Sequence, residues 1–166
     1  RAGARLVTDD TLAVTIGARP QLLPGVHAVR LFADSASHLG EVERVEGLTV
    51  MSEKHVIIPT GSIVAEPVAF AAAYVLRPVT HLQSGAAVER ILLSKREAVT
   101  LFLGHSKIQN LFDGVERMAI LDRASVLTEL VPAYRLDIVR DLARLSEVTD
   151  VMARWHAEVV APGQPA

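Results

Sequence analysis

The stretch Ala4–Thr15, ARLVTDDTLAVT, constrains this chain more than any other. Two short apolar runs, Leu6-Val7 and Leu12-Ala13-Val14, flank the adjacent carboxylates Asp9 and Asp10. Apolar residues on both sides of a polar corner predict two strands meeting at a bend. Successive side chains of an extended chain point to opposite faces. Neighbouring aspartates can therefore serve two groups at once, a metal ion on one side and a substrate proton on the other. A plain polar turn is the competing reading, because Asp hydrogen-bonds its own backbone in turns.

The residues before and after this stretch carry a resemblance. The chain opens Arg1-Ala2-Gly3-Ala4-Arg5. Glycine directly before a strand is common just past a helix C-terminus, where only Gly takes the left-handed conformation cheaply. The sequence thus reads as beginning at the exit of a helix that it does not contain. RAGARL leading into VTDD resembles the region after the phosphate-binding loop in HPr kinase/phosphorylase C-terminal-like proteins. These belong to the phosphoenolpyruvate-carboxykinase-like P-loop kinases. Pro24-Gly25 followed by Val29-Arg30-Leu31 resembles the family's turn and short strand, and Lys54 stands where a basic residue precedes a strand. AAAYVLR (71–77), VERILLSKREAVTLFL (88–103) and VPAYRL (131–136) are similar to later elements of the family, so the likeness runs over residues 1–155.

The resemblance implies an α/β fold, a mixed sheet of the carboxykinase/HPr-kinase type with helices concentrated in the C-terminal half. Residues 1–160 would be the C-terminal part of the catalytic domain, and residues 161–166, rich in Pro and Gly, a disordered tail. It implies ATP and Mg²⁺ as cofactors. The acceptor would be a hydroxyl, serine-like, on a protein or a ribosomally made peptide. It also implies Asp9 as general base, Asp10 as the partner of Mg²⁺, and Arg30 and Lys54 as nucleotide-binding cations. The two aspartates can exchange these roles. Relatives of the bifunctional branch form rings, which leaves a homo-oligomer open here.

One part of the machinery is missing from the sequence. Phosphoryl transfer needs a cradle of backbone N–H groups with a lysine, a divalent cation and a carboxylate for the nucleophile. No Gly-x-x-x-x-Gly-Lys-Ser/Thr occurs, and none of the three lysines, Lys54, Lys95 and Lys107, follows a glycine. The chain therefore reads as the later part of a kinase, or as a non-catalytic regulatory or binding module that keeps the scaffold. A small-molecule enzyme of the carboxykinase type is a third reading, but it would need clustered basic residues that the sequence does not place.

Composition narrows the remaining classes. With 166 residues, 50% of them hydrophobic, the chain can build one compact domain with a core. A formal charge of −2 argues against a nucleic-acid partner. Without cysteine there is no disulfide framework and no thiolate chemistry. No apolar run is long enough to span a bilayer, so the expectation is a cytoplasmic protein without membrane contact. The six histidines, at 27, 38, 55, 81, 105 and 156, show no zinc spacing. No G-x-S-x-G elbow is present.

Along the chain, residues 4–31 predict several short strands punctuated by Gly17, Pro20 and Pro24-Gly25. Asp34-Ser35 predicts a helical cap with a stop at Gly40, and residues 41–47 an exposed edge or loop. Residues 48–51 and 55–58 are further strands. The dense run Val68–Leu76, bounded by Pro67 and Pro78, suits one buried strand, with a helix as the competing reading because its alanines lower strand propensity. Ser94 and Glu97 form the S-x-x-E capping box of a helix that stops at Gly104. Residues 110–131 predict one helix, or two broken near Gly114, packing through Leu111, Val115, Met118, Leu121, Val126, Leu127 and Leu130. A short strand, 133–136, and a final helix from Ser146 complete the chain.

Overall fold

A computed structural model describes residues 5–9, 11–26, 28–32, 35, 43–44, 54–58, 63–106 and 114–160. The protein is mixed α/β. Its described strands form three three-stranded sheets, and, a single described helical residue at Ser35 aside, its described α-helices lie after residue 94. The chain divides into two compact units: Arg1–Thr15 with Gln21–Ala69, and Ile16–Pro20 with Phe70–Ala166.

The first unit is built from short strands, as its frequent turn residues dictate. Strands β1 (Ala13–Thr15), β2 (Gln21–Leu23) and β6 (Val68–Ala69) form one antiparallel sheet with β2 in the middle. Strands β3 (Val29–Phe32), β4 (Glu43–Arg44) and β5 (Lys54–Ile58) form another around β5. Its register pairs Arg30 with Val56 and Phe32 with Lys54. The expected edge at 41–47 is thus the edge strand β4. The expected strand at 6–7 is reduced to a single parallel bridge from Leu6 to Ile63, beside buried Val64. The helical cap beyond Ser35, the strand at 48–51 and Leu111 fall outside the described residues.

The second unit has one sheet, ordered β7 (Ala73–Val79), β9 (Ala133–Val139), β8 (Val88–Leu92). Strand β9 runs parallel to β7 and antiparallel to β8. Parallel neighbours need a long connection. Here β8, helix α1 (Lys95–Gly104) and helix α2 (Gly114–Leu130) supply it. The core lies on one face of this sheet, where Val88 and Leu136 pack with Val148 of helix α3 (Leu145–Val160). Val151, Met152 and Trp155 complete the helical stripe.

Four expectations are corrected. The run Val68–Leu76 is not one strand: Val68–Ala69 pairs with β2, and a separate strand starts at Ala73. That second strand continues through Pro78 because β7 is an edge, where a missing N–H breaks no ladder bond. Strand β9 runs three residues past Leu136, to Val139. The last helix starts at Leu145, after a 3₁₀ turn (Leu142–Arg144) capped by Asp141. Finally, α2 buries Ala124 and Leu127, whereas Val115, Met118, Val126 and Leu130 are exposed. A small residue at the contact lets that helix pack closely without engaging the whole apolar set.

The capping box is as expected. Ser94 accepts from the Glu97 amide, and the Glu97 carboxylate accepts from the Ser94 amide at 2.8 Å and its hydroxyl at 2.6 Å. The Ser94 hydroxyl and amide hold the Glu97 carboxyl below its ordinary range. Helix α1 ends at Gly104, and the His105 amide donates to the Leu101 carbonyl.

Candidate functional site

In the first unit the predicted acid sits on a strapped bend. The Gly25 amide donates to the Val7 carbonyl at 3.0 Å, and the Val64 amide to the Leu6 carbonyl at 3.0 Å. These bonds fix the chain entering the bend. The Thr8 hydroxyl donates to the Thr11 carbonyl at 3.0 Å and closes it. Between them, Asp9 is exposed, and its Oδ2 accepts a hydrogen bond from the Arg30 amide at 3.1 Å. Strand β3 is an edge of its sheet, so that amide is available to a side chain.

Two of the sequence-predicted residues, Asp9 and Arg30, are therefore brought together, but through the Arg30 backbone. Arg30 itself is exposed. Lys54 opens β5 opposite Phe32, diagonal to Arg30 in the register. Asp10 lies outside the described residues. Among the described residues, no group of three or more His, Cys, Asp and Glu is placed to hold a metal ion.

Gly25 is required by contact rather than by backbone angle. A Cβ there would stand 2.6 Å from Thr8 Oγ1 and 2.9 Å from Thr8 Cβ. The Thr8 hydroxyl is committed to the bend, so it cannot swing away without opening it. Gly25→Ala is expected to cost about 1–3 kcal/mol, the range for overpacking. Chemical denaturation measures the loss, and a displaced Asp9 amide resonance would show that the bend moves with it.

A second polar centre, not anticipated from the sequence, lies on the sheet of the second unit. Asp137 is 3% exposed, on the central strand. Arg77 stands opposite it on β7, and Arg135 precedes it by two residues on the same face. Arg77 Nε donates to Asp137 Oδ1 at 2.7 Å, and Arg77 Nη2 donates to Oδ2. Arg135 Nε donates to Oδ1 at 3.0 Å. The Arg77 hydrogen bonds, with help from Arg135, hold the Asp137 carboxyl below its ordinary range against the opposing effect of burial. The one legible signal is Arg-x-Asp at 135–137 within a strand, which places both side chains on one face.

The opposite face is aromatic. The Arg90 guanidinium lies over the Tyr134 ring, at 5.0 Å, and over the Trp155 ring, at 4.9 Å. Tyr74 stacks on Tyr134 at 5.5 Å. Burial raises the pKa of the Tyr74 phenol, with Arg90 acting in the opposite direction. This cluster shares its face with the α3 core and is a packing feature.

Comparison with family models, with curated proteins and with solved structures finds no match. Among the described residues, no helix is long and apolar enough to cross a membrane.

Proposed function

We propose that this chain carries the acceptor-side acids of an ATP- and Mg²⁺-dependent kinase of the HPr-kinase-like type. In this reading the fold is of the carboxykinase/HPr-kinase class, and the acceptor is a serine-like hydroxyl on a protein or ribosomally made peptide. The observation that carries the reading is Asp9: an exposed carboxylate at a bend, with one oxygen held by a strand amide. An ionised carboxylate accepts at about four lone-pair sites, so one N–H leaves capacity for a hydroxyl proton. Asp9 would orient the acceptor hydroxyl and take its proton. Oxygen donors suit a hard cation, so Asp10 would hold Mg²⁺, and Arg30 and Lys54 would face the nucleotide. When bound, ATP supplies the phosphoryl group and Mg²⁺ offsets its charge.

The sequence lacks the phosphate-cradling motif, so in this reading the cradle is supplied by other chain. That same gap is what favours the second reading, a regulatory module that retains the scaffold without transfer. The complete gene product, incubated with γ-labelled ATP and Mg²⁺, separates them. A panel of proteins, peptides and small acids would serve as acceptors. Label on a polypeptide hydroxyl is the expected outcome. Label on small acids alone overturns the acceptor class, and absence of nucleotide affinity favours the module.

A further inference from the structure

We propose that Arg77 and Arg135 form a binding site for a singly charged oxyanion, independent of the kinase reading. Both guanidinium groups are anchored to Asp137 through Nε. Among the described residues, no carboxylate or carbonyl engages Nη1 of Arg77 or either terminal nitrogen of Arg135. Both side chains keep contact with solvent, at 53% and 32% exposure, whereas the Asp137 side chain is at 5%. The arrangement is a buried acid holding two partly exposed arginines through Nε, and through Nη2 of Arg77 as well.

Three physical points favour a ligand. First, replacing a buried ion pair by apolar residues of similar volume is often neutral or stabilising, so burial of Asp137 between two arginines is weak evidence for a purely structural role. Second, arginine's planar fork matches a carboxylate or phosphate oxygen pair. Third, both arginines are already ordered, so binding forfeits little side-chain entropy.

The surrounding charges set the ligand's valence. Glu89 stands opposite Asp137 on β8, and its carboxylate accepts from the Ser84 hydroxyl at 2.6 Å. The charge of Glu97 reaches Arg135, although its carboxylate is held by Ser94. These acids do not bond the outer guanidinium donors, but they reduce the local positive field. A dianion is thereby disfavoured, and a phosphate monoanion or a carboxylate fits.

The test is a titration of the ¹⁵N-labelled full chain, observing the arginine Nε–Hε resonances at mildly acidic pH. Inorganic phosphate and acetate are added separately at ionic strength matched with chloride. Saturable shifts of the Arg77 and Arg135 signals are expected. Phosphate acting alone identifies a phosphoryl source, and acetate acting alone a carboxylate source. Arg135→Gln should weaken binding about tenfold or more, the effect of losing a charge-assisted hydrogen bond. Arg77 still holds both Asp137 oxygens in that variant, and a retained Arg77 signal reports that the site is intact. Should that variant not fold, Arg135→Lys, which keeps the charge without the fork, is expected to weaken binding in the same direction. Shifts that merely track chloride, or binding unchanged by these variants, overturn the proposal.

Discussion

Arg77→Ala is expected to destabilise the second unit by about 3 kcal/mol, the low end for breaking a buried charge pair. The low end applies because Arg77 is half exposed while Asp137 is buried, so solvent already screens one partner. Without Arg77, Asp137 keeps the single 3.0 Å bond from Arg135. The penalty comes from the stranded carboxylate rather than from the missing cation. The double variant Arg77→Ala/Asp137→Ala should therefore be more stable than Arg77→Ala alone, and a double-mutant cycle monitored by urea unfolding measures the difference. A loss in the double variant equal to the sum of the losses in Arg77→Ala and Asp137→Ala would show that the pair is not coupled.

The same pair fixes a direction with pH. The folded-state pKa of Asp137 lies below its unfolded value. Its contribution to stability is complete above the ordinary carboxylate range, where both states are ionised. As pH falls through that range the unfolded chain takes up the proton first, and the contribution is gone once pH is below the depressed folded value. Urea midpoints of the wild type should fall over this window more steeply than those of the Asp137→Ala variant.

How much of the fold is legible in the sequence depends on how local each feature is. The Ser94–Glu97 capping box involves four consecutive residues, and it forms as read. Helices in the C-terminal half and short strands before them are legible from periodicity and turn residues. The division of Val68–Leu76 between two sheets is not, because Val68 and Ala73 take partners 46 and 60 residues away, Leu22 and Ala133. Pro78 reads as a boundary only because its strand's edge position is a property of the whole sheet. The Asp137 centre is invisible for the same reason: Arg77 meets it across a gap of 60 residues. Asp9 lies at the bend that the sequence predicts, yet it meets Arg30 through atoms that residue type does not single out. The amide, which every non-proline residue carries, makes the contact in place of the guanidinium.

Because the contact is made by the Arg30 amide, proton transfer and positioning by Asp9 can be separated by mutation if the proposed kinase reading holds. Asp9→Asn is expected to lower phosphoryl transfer about 10²–10⁴-fold, the span that general base catalysis contributes. The fold should be unchanged. The asparagine carbonyl can still accept from the Arg30 amide, so the bend and its tether to β3 survive. What the variant loses is the negative charge that takes a proton, and nucleotide affinity should be preserved. Asp9→Ala removes the tether as well, and it should lower both transfer and the stability of the first unit. Arg30→Ala keeps the amide and hence the position of Asp9, so any loss of nucleotide affinity in it belongs to the side chain. Steady-state rates, ATP affinity and urea unfolding of the three variants separate proton transfer, positioning and phosphate binding. Full turnover by Asp9→Asn would remove Asp9 from the chemistry and leave it a turn residue bonded to a neighbouring strand.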